Sequence, residues 1–301
     1  MKILITGNTG LIGMNLVERL RDSHEIFGMS RKSGYDLRDT EKTRQAIEDF
    51  KPDIVYHLAA NTAESRGEIS PIDMTQRNLM LFLNVLVPSI NIGVKKFIFT
   101  SSVAVYGEAE VPYREDDICK PKDVYGVNKL AEEQMLKILA KVHGLNYTIF
   151  RPHNIYGPHQ DMSNPYKNVV ALFMRNIMEH KPITIFGEGK MRRAFSYVDD
   201  VVDVLVHALN HMDQQTINVG SSIESGLSEL LEKIEWISGG KAIVEQKPAR
   251  PQEIYLFLPS HRKLESLYSY HETPLDEGLE KTWKYINLPS IVREDNEIHK
   301  G

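Results

Sequence analysis

A tyrosine and a lysine stand four residues apart in Tyr125-Gly126-Val127-Asn128-Lys129, at the start of a segment rich in Ala, Glu and Leu. On a helix, residues spaced by four lie on one face, so the phenol and the ammonium would be neighbours. Tyrosine, with an ordinary pKa of about 10, is a weak base at neutral pH, but a nearby ammonium stabilises the phenolate and lowers that pKa. The pair is a candidate for acid and base chemistry, although the same spacing is common on protein surfaces.

A serine pair precedes this tyrosine in Thr100-Ser101-Ser102, where an apolar run ends. Ligands of open α/β sheets bind at the carboxyl ends of the strands. Ser102 would therefore present its hydroxyl at a ligand site, and Ser102, Tyr125 and Lys129 are the candidate catalytic residues.

A glycine-rich turn follows the first apolar run. It comprises Gly7, Asn8, Thr9, Gly10, Leu11, Ile12 and Gly13. Glycines permit a tight turn and the close approach of a pyrophosphate, and the start of the following helix offers N–H groups and a positive dipole end. Between a strand and a helix, this turn predicts a dinucleotide-binding site.

Short apolar runs alternate with amphipathic segments in the first half of the chain. The predicted strands are Lys2–Thr6, Glu25–Ser30, Asp53–Leu58, Lys96–Ser101 and Asn146–Arg151, and the predicted helices are Leu11–Arg21, Thr40–Phe50, Ile72–Ile92 and Val124–His143. Such alternation predicts right-handed crossovers and a parallel sheet. Turn signals multiply after residue 152, which indicates a second, smaller lobe.

The composition is that of an ordinary globular protein. The 301 residues suggest about two domains, and 36 Lys and Arg against 41 Asp and Glu give a formal charge of −5. No basic stripe is present, so we expect no nucleic-acid partner. The single cysteine, Cys119, cannot form an internal disulfide. The apolar runs are too short for a signal peptide or a membrane span, so we expect a cytoplasmic protein with no membrane partner.

The motifs together resemble the extended short-chain dehydrogenase/reductase family. They are the Gly-x-x-Gly-x-x-Gly turn, the Ser102 segment and the Tyr125–Lys129 pair, followed by RPHNIYGP at residues 151–158 and RRAFSYVDD at residues 192–200. The resemblance implies that Ser102 orients a sugar hydroxyl, that Tyr125 is the general base and acid, and that Lys129 holds a nicotinamide ribose.

The resemblance also implies a nicotinamide dinucleotide cofactor. Beyond the glycine turn, its expected ligands are Ser30, Arg31, Asp36, Leu37, Leu58, Ala59, Ala60, Tyr125 and Lys129. NAD enzymes of this fold carry an acid after the second strand, and none is present here. Arg31 could instead pair with a 2′-phosphate, which favours NADP while leaving NAD open.

The expected substrate is a nucleotide diphosphate sugar. The family pattern points to Asn154, Asn168, Arg193 and Arg250 as its ligands, and arginine suits a diphosphate because its planar fork makes bidentate bonds. Gln252 replaces a glycine usual in the family near Arg250. His207 and His211 have a spacing that zinc ligands use, but no third ligand accompanies them, so we expect no metal site.

The expected fold is α/β: a Rossmann doubly wound parallel sheet with a smaller discontinuous α/β substrate-binding lobe. Residues 1–151 plus about 190–212 would form the dinucleotide-binding domain, with a helix at Asp199–Asn210 that returns to it. Residues of about 152–189 and 213–301 would form the nucleotide-sugar-binding lobe. Family members are commonly homodimers that pair the helices equivalent to Ile72–Ile92 and Val124–His143.

The reaction depends on the residues that follow the catalytic hydroxyl. Sugar 4,6-dehydratases and uronate decarboxylases of the family carry Asp-Glu or Glu there, whereas this sequence has Val103 and Ala104, which cannot transfer protons. The pattern resembles the 4-epimerases. The alternative is an NADP-dependent 4-keto nucleotide-sugar reductase, which Arg31 favours. A 4,6-dehydratase or a non-catalytic dinucleotide sensor fits less well.

Overall fold

The computed structural model describes residues 1–61, 70–107, 109–162, 168–189, 191–248 and 256–288. A six-stranded parallel sheet forms its centre. The strands of this sheet are β1 (Lys2–Thr6), β2 (Glu25–Met29), β3 (Ile54–His57), β4 (Lys96–Thr100), β5 (Asn146–Pro152) and β10 (Gln215–Val219). Their order across the sheet is β10-β5-β4-β3-β1-β2. The expected α/β class and doubly wound parallel sheet are confirmed.

Helices cover both faces of this sheet because its central strands are buried on both sides. The strands β3 and β4 have no exposed residue. The covering helices are α1 (Leu11–Leu20), α2 (Thr40–Phe50), α3 (Pro71–Thr75), α4 (Leu81–Asn91), α5 (Val124–His143) and α7 (Val198–His207). One apolar core joins the sheet to α1 and α7, and a second joins it to α2, α4 and α5. Helix α7 packs on the sheet as part of the first of these two cores.

The predicted helix Ile72–Ile92 is interrupted. A π-helical turn at Gln76–Met80 separates α3 from α4. It places the buried Asn78 beside the end of β3, where its side chain accepts from the Asn61 N–H at 2.8 Å and donates to the Asn61 carbonyl. The irregular turn therefore holds the loop that leaves the third strand.

The smaller lobe consists of short sheets and three helices. Its strands are β6 (Ile155–Tyr156), β7 (Pro182–Phe186), β8 (Arg192–Ala194), β9 (Ser196–Tyr197), β11 (Glu224–Gly226), β12 (Ile243–Lys247) and β13 (Leu256–Phe257). Its helices are α6 (Val169–Met178), α8 (Leu227–Ser238) and α10 (Leu275–Ile286), while the short α9 (Arg262–Leu267) packs beside β10. Phe173, Leu230 and Leu279 lie in the core that joins the three helices.

Two predicted domain boundaries need correction. The expectation that residues 213–301 belong to the lobe is wrong for Gln215–Val219, which pairs with β5 as the edge strand of the central sheet. The expectation that residues from 190 belong to the first domain is wrong for Arg192–Ala194, which pairs with β11 and β13. In the described ranges, no helix has the length and apolar character needed to cross a membrane.

Candidate active site

The glycine turn is packed so tightly that side chains would not fit. Gly7 has a φ of +72°, and a Cβ built on it would lie 2.8 Å from the backbone nitrogen of Ala59. A Cβ on Gly13 would lie 2.2 Å from the carbonyl oxygen of Gly7. Helix α1 begins at Leu11, directly after Gly10. The first N–H groups of a helix have no partner within it, so this turn is suited to hold a pyrophosphate.

The ends of the first three strands meet at this turn. The Thr9 hydroxyl donates to the Ser30 Oγ at 3.1 Å, at the end of β2. The Ala59 N–H donates to the Thr6 Oγ1 at 3.3 Å, which joins the ends of β3 and β1. The structure thus brings together the glycine turn, Ser30 and the stretch of Leu58, Ala59 and Ala60, which is half-buried.

The predicted adenine-side residues differ in their surroundings. Arg31 is exposed. Hydrogen bonds from Arg38 lower the pKa of the Asp36 carboxyl to about 2, so Asp36 is ionised at neutral pH. The Leu37 side chain is buried in the core beneath α4, and its carbonyl accepts from the Asn84 side chain at 2.9 Å. The side chain of Leu37 is therefore part of the core as well as a candidate cofactor contact.

The candidate base lies at the start of α5. The Asp123 side chain caps this helix by accepting from the Gly126 N–H at 2.6 Å. Tyr125 is 7% exposed and Lys129 is 1% exposed. The Lys129 Nζ lies 6.0 Å from the centre of the Tyr125 ring and donates to the Thr100 carbonyl at 3.1 Å. The predicted pair is therefore buried on one face of α5, against the carboxyl end of β4.

Ser102 begins the short 3-10 turn Val103–Val105 that follows β4, and its Oγ accepts from the Ala104 N–H at 3.1 Å. The backbone of Gly126 lies so close to this turn that a Cβ there would be 2.6 Å from the Ala104 carbonyl oxygen. The Ser102 turn thus packs directly on the start of α5. The structure brings the segments of Ser102, Tyr125 and Lys129 together at one edge of the sheet.

A buried carboxylate at this site was missed by sequence reasoning. The Glu132 Oε2 lies 2.9 Å from the Lys129 Nζ, and both side chains are almost fully buried. Burial raises the pKa of Glu132, while the charge of Lys129 opposes that rise. The spacing of three from Lys129 was the available signal.

A second buried network supports the same edge of the sheet. Glu133 accepts from Ser101 at 2.6 Å and from Arg151 at 2.7 Å, while Arg151 also donates to the Tyr106 hydroxyl at 2.8 Å. Tyr106 in turn donates to Asn218 at 2.7 Å. Burial alone would lower the pKa of Arg151, but its contact with Glu133 raises it. The network ties Ser101, next to Ser102, to strands β5 and β10.

The predicted substrate residues are only partly brought together. Asn154 has a φ of +40°, and its side chain donates to the Ala194 carbonyl at 3.0 Å, so it lies beside the strand that carries Arg193. The Asn168 Oδ1 caps α6 by accepting from the Val170 N–H at 2.9 Å, and its amide donates to the Ile155 carbonyl. Asn168 therefore has a structural role in the lobe. Arg250 lies outside the described residues.

The chain is similar to known proteins over most of its length. The sequence model of the NAD dependent epimerase/dehydratase family matches residues 3–220. The chain is 30% identical to a UDP-glucose 4-epimerase of Mycolicibacterium smegmatis, covering 96% of this chain and 100% of the relative. It is 28% identical to a UDP-N-acetyl-alpha-D-glucosaminuronate decarboxylase of Bacillus cytotoxicus, covering 95% and 97%.

Solved structures give the same result. The crystal structure of a Thermotoga maritima UDP-glucose 4-epimerase with UDP-glucose has a TM-score of 0.90 and 30% identity, covering 95% of this chain and 98% of that one. The matched residues 3–220 include the glycine turn, Ser102, Tyr125 and Lys129. The chain therefore belongs to the NAD-dependent epimerase/dehydratase family.

Proposed function

We propose that this protein is a nucleotide-sugar 4-epimerase that acts through a transient 4-keto sugar. The carrying observation is the burial of Tyr125 and Lys129 on one face of α5, next to the Ser102 turn. The relatives support the substrate class, since two of those described above are UDP-glucose 4-epimerases.

Tyr125 is the group proposed to take the proton from the sugar hydroxyl and to return it later. The ammonium of Lys129 stabilises the phenolate form in which Tyr125 accepts this proton, and Ser102 orients the hydroxyl. When bound at the glycine turn, a nicotinamide cofactor would accept the hydride from carbon 4 and return it to the other face. The cofactor fits this site because the turn, packed too closely for side chains at Gly7 and Gly13, leads directly into the first N–H groups of α1.

The residues after Ser102 favour epimerisation over elimination or decarboxylation. Val103 and Ala104 form the 3-10 turn that packs on α5 and carry no group that could transfer a proton. A sugar oxidised here would therefore meet no second acid or base in this turn. The next step left to the 4-keto sugar is its reduction by return of the hydride.

An epimerase must also let the sugar turn over between the two hydride transfers. We propose that the diphosphate is held firmly by Arg193 and Arg250, with Asn154 and Asn168 as further contacts, while the sugar itself is held loosely. The position of Asn154 beside the strand that carries Arg193 supports a shared contact of these two residues with the diphosphate.

An NADP-dependent 4-keto nucleotide-sugar reductase is the second candidate. Ser30 stands at the end of β2, where an acid would select NAD, and the following Arg31 is exposed. Ser30 and Arg31 together would suit the 2′-phosphate of NADP, a cofactor that a reductase exchanges in each turnover.

We also propose a homodimer formed by α3, α4 and α5. These helices and the π-helical turn expose large apolar side chains, namely Ile72, Met80, Val87, Val127, Ile138 and Val142. Such side chains would be buried if two copies paired these helices. Sedimentation analysis of the protein and of a Val127→Glu/Ile138→Glu variant tests this, and a monomeric wild type would overturn it.

The reaction is tested by incubating the purified protein with UDP-, dTDP- and GDP-sugars without added cofactor. An epimerase converts one of these sugars to its 4-epimer under these conditions. Activity that instead consumes added NADPH stoichiometrically would establish the reductase.

A further inference from the structure

Glu132 lies on the same face of α5 as the proposed base. Tyr125, Lys129 and Glu132 are spaced at i, i+4 and i+7, so they form one stripe along the helix. Lys129 and Glu132 are each 1% exposed, and the Glu132 Oε2 accepts from the Lys129 Nζ at 2.9 Å. The same Nζ donates to the Thr100 carbonyl. Two of the three N–H donors of the Lys129 ammonium are thus used in hydrogen bonds to Thr100 and Glu132.

Stability is a poor explanation for this carboxylate. Glutamate is seldom fully buried unless it is paired, and a buried ion pair often stabilises no more than apolar side chains of the same volume. Among the described residues, the Glu132 Oε1 has no hydrogen-bond partner, which adds a desolvation cost. The pairing of this residue with the lysine of the proposed active site points to a role in the reaction.

Other charges near the pair are engaged elsewhere. On the same helix, Glu133 is paired with Arg151 from β5. On the helical segment that packs against α5, Asp73 is paired with Arg77. From β3, burial and the charge of Lys129 lower the pKa of His57 to about 3, so its imidazole is neutral. Glu132 is therefore the acidic group in direct contact with Lys129 in the described structure.

We propose that Glu132 is a positioning residue that holds the Lys129 ammonium and sets how much of its positive charge acts on Tyr125. This inference rests on the proposed role of Tyr125 and Lys129. The ionised carboxylate offsets part of the lysine charge, so the phenolate of Tyr125 is stabilised less than it would be by Lys129 alone. Burial raises the pKa of Glu132. Protonation of Glu132 would remove its negative charge, and the full charge of Lys129 would then act on Tyr125.

Glu132→Gln tests the proposal because it removes the charge and keeps an oxygen that can accept from Lys129. The phenolate absorbance of Tyr125 is titrated in the protein and in E132Q, with the curve of the matching Tyr125→Phe background subtracted from each. We expect the midpoint for Tyr125 to fall by about one pH unit in E132Q. Identical midpoints would overturn the proposal.

Glu133→Gln is the matched control, because it breaks the neighbouring buried ion pair without touching Lys129. We expect E133Q to lower the melting temperature and to leave the Tyr125 midpoint in place, and an equal shift in E133Q would also overturn the proposal. If E132Q does not fold, Glu132→Asp is used instead. We expect it to lower the Tyr125 midpoint by less than E132Q would, and an unchanged midpoint would overturn the proposal. The titration needs no substrate, so its result stands whatever reaction the protein catalyses.

Discussion

The Nζ of Lys129 lies 3.1 Å from the carbonyl oxygen of Thr100, which fixes the start of α5 against the end of β4. This contact places Tyr125 at the carboxyl edge of the sheet, where the glycine turn also lies. Two residues beyond Thr100, Ser102 begins the turn that packs on Gly126. The contact between Lys129 and the Thr100 carbonyl therefore holds Tyr125 and the Ser102 turn at the same edge of the sheet.

Replacing Tyr125 with Phe should lower turnover about 10²- to 10⁴-fold, the usual contribution of a positioned acid or base. Binding of the cofactor and the nucleotide sugar should stay close to that of the wild type, because only the hydroxyl is lost. Steady-state kinetics together with calorimetric binding measure both effects. Tyr147→Phe, near the opposite end of the sheet on β5, is the control and should retain full turnover. Wild-type turnover in Y125F would remove Tyr125 from the mechanism.

Gly13→Ala should abolish binding of the dinucleotide. The new Cβ would lie 2.2 Å from the Gly7 carbonyl oxygen, which is backbone and cannot move aside without opening the turn. Gly226→Ala is the control, because the nearest atoms to its Cβ would be 3.9 Å away. Cofactor content after purification and fluorescence titration with NADH and NADPH are the measurements. Normal binding by Gly13→Ala would show that the pyrophosphate lies elsewhere.

Arg151→Met should destabilise the fold by about 3–5 kcal/mol, because it removes the buried counter-ion of Glu133 and leaves this carboxylate with the partly exposed Lys137 at 3.7 Å. The double variant Arg151→Met/Glu133→Leu should recover part of this loss, since both charges are then gone. Urea unfolding of the wild type, of Arg151→Met, of Glu133→Leu and of the double variant gives the free energies. Additive losses in the double variant would contradict a direct ion pair.

Acid should destabilise the protein through its buried histidines. Burial lowers the pKa of His57 to about 3 and that of His261 to about 4; burial, aided by His261, lowers that of His153 to about 3. Unfolded histidine binds a proton below about pH 6.5, whereas these three stay neutral when folded. Stability is therefore complete above pH 6.5 and falls as pH drops toward 4, by about 1.4 kcal/mol per pH unit for each histidine.

His261→Gln measures one part of this effect. Urea unfolding between pH 7 and pH 4.5 should show a shallower loss of stability in His261→Gln, by about one proton taken up on unfolding. His143→Gln, which removes an exposed histidine at the end of α5, is the control and should keep the wild-type slope. A slope unchanged in His261→Gln would mean that His261 is protonated in the folded state.

The sequence was sufficient for the features that depend on local pattern. The β1 and α5 bounds and the glycine turn follow from apolar periodicity, glycine spacing and strand-helix alternation, which act within a few residues. The edge strand β10 was missed because Gln215–Val219 pairs with β5, a segment far earlier in the chain, and the surrounding turn signals suggested a lobe.

The ion pairs behind the site could not be predicted for a similar reason. Glu133 meets Arg151 only because α5 and β5 are packed together, and nothing in either segment alone specifies that partner. Glu132 follows Lys129 by three residues, but a carboxylate at that spacing on a helix is usually solvated. Its significance comes from burial, which depends on the packing of α5 against the sheet.

The most direct measurement follows the hydrogen on carbon 4 of the sugar. A nucleotide sugar carrying deuterium at carbon 4 is converted by the purified protein without added cofactor, and the product is analysed by NMR. Epimerisation through hydride removal and return predicts a 4-epimer that keeps its deuterium at carbon 4, formed about 10²- to 10⁴-fold more slowly by Tyr125→Phe. A product that lacks the deuterium, or turnover only with added NADPH, would contradict the proposed 4-epimerase.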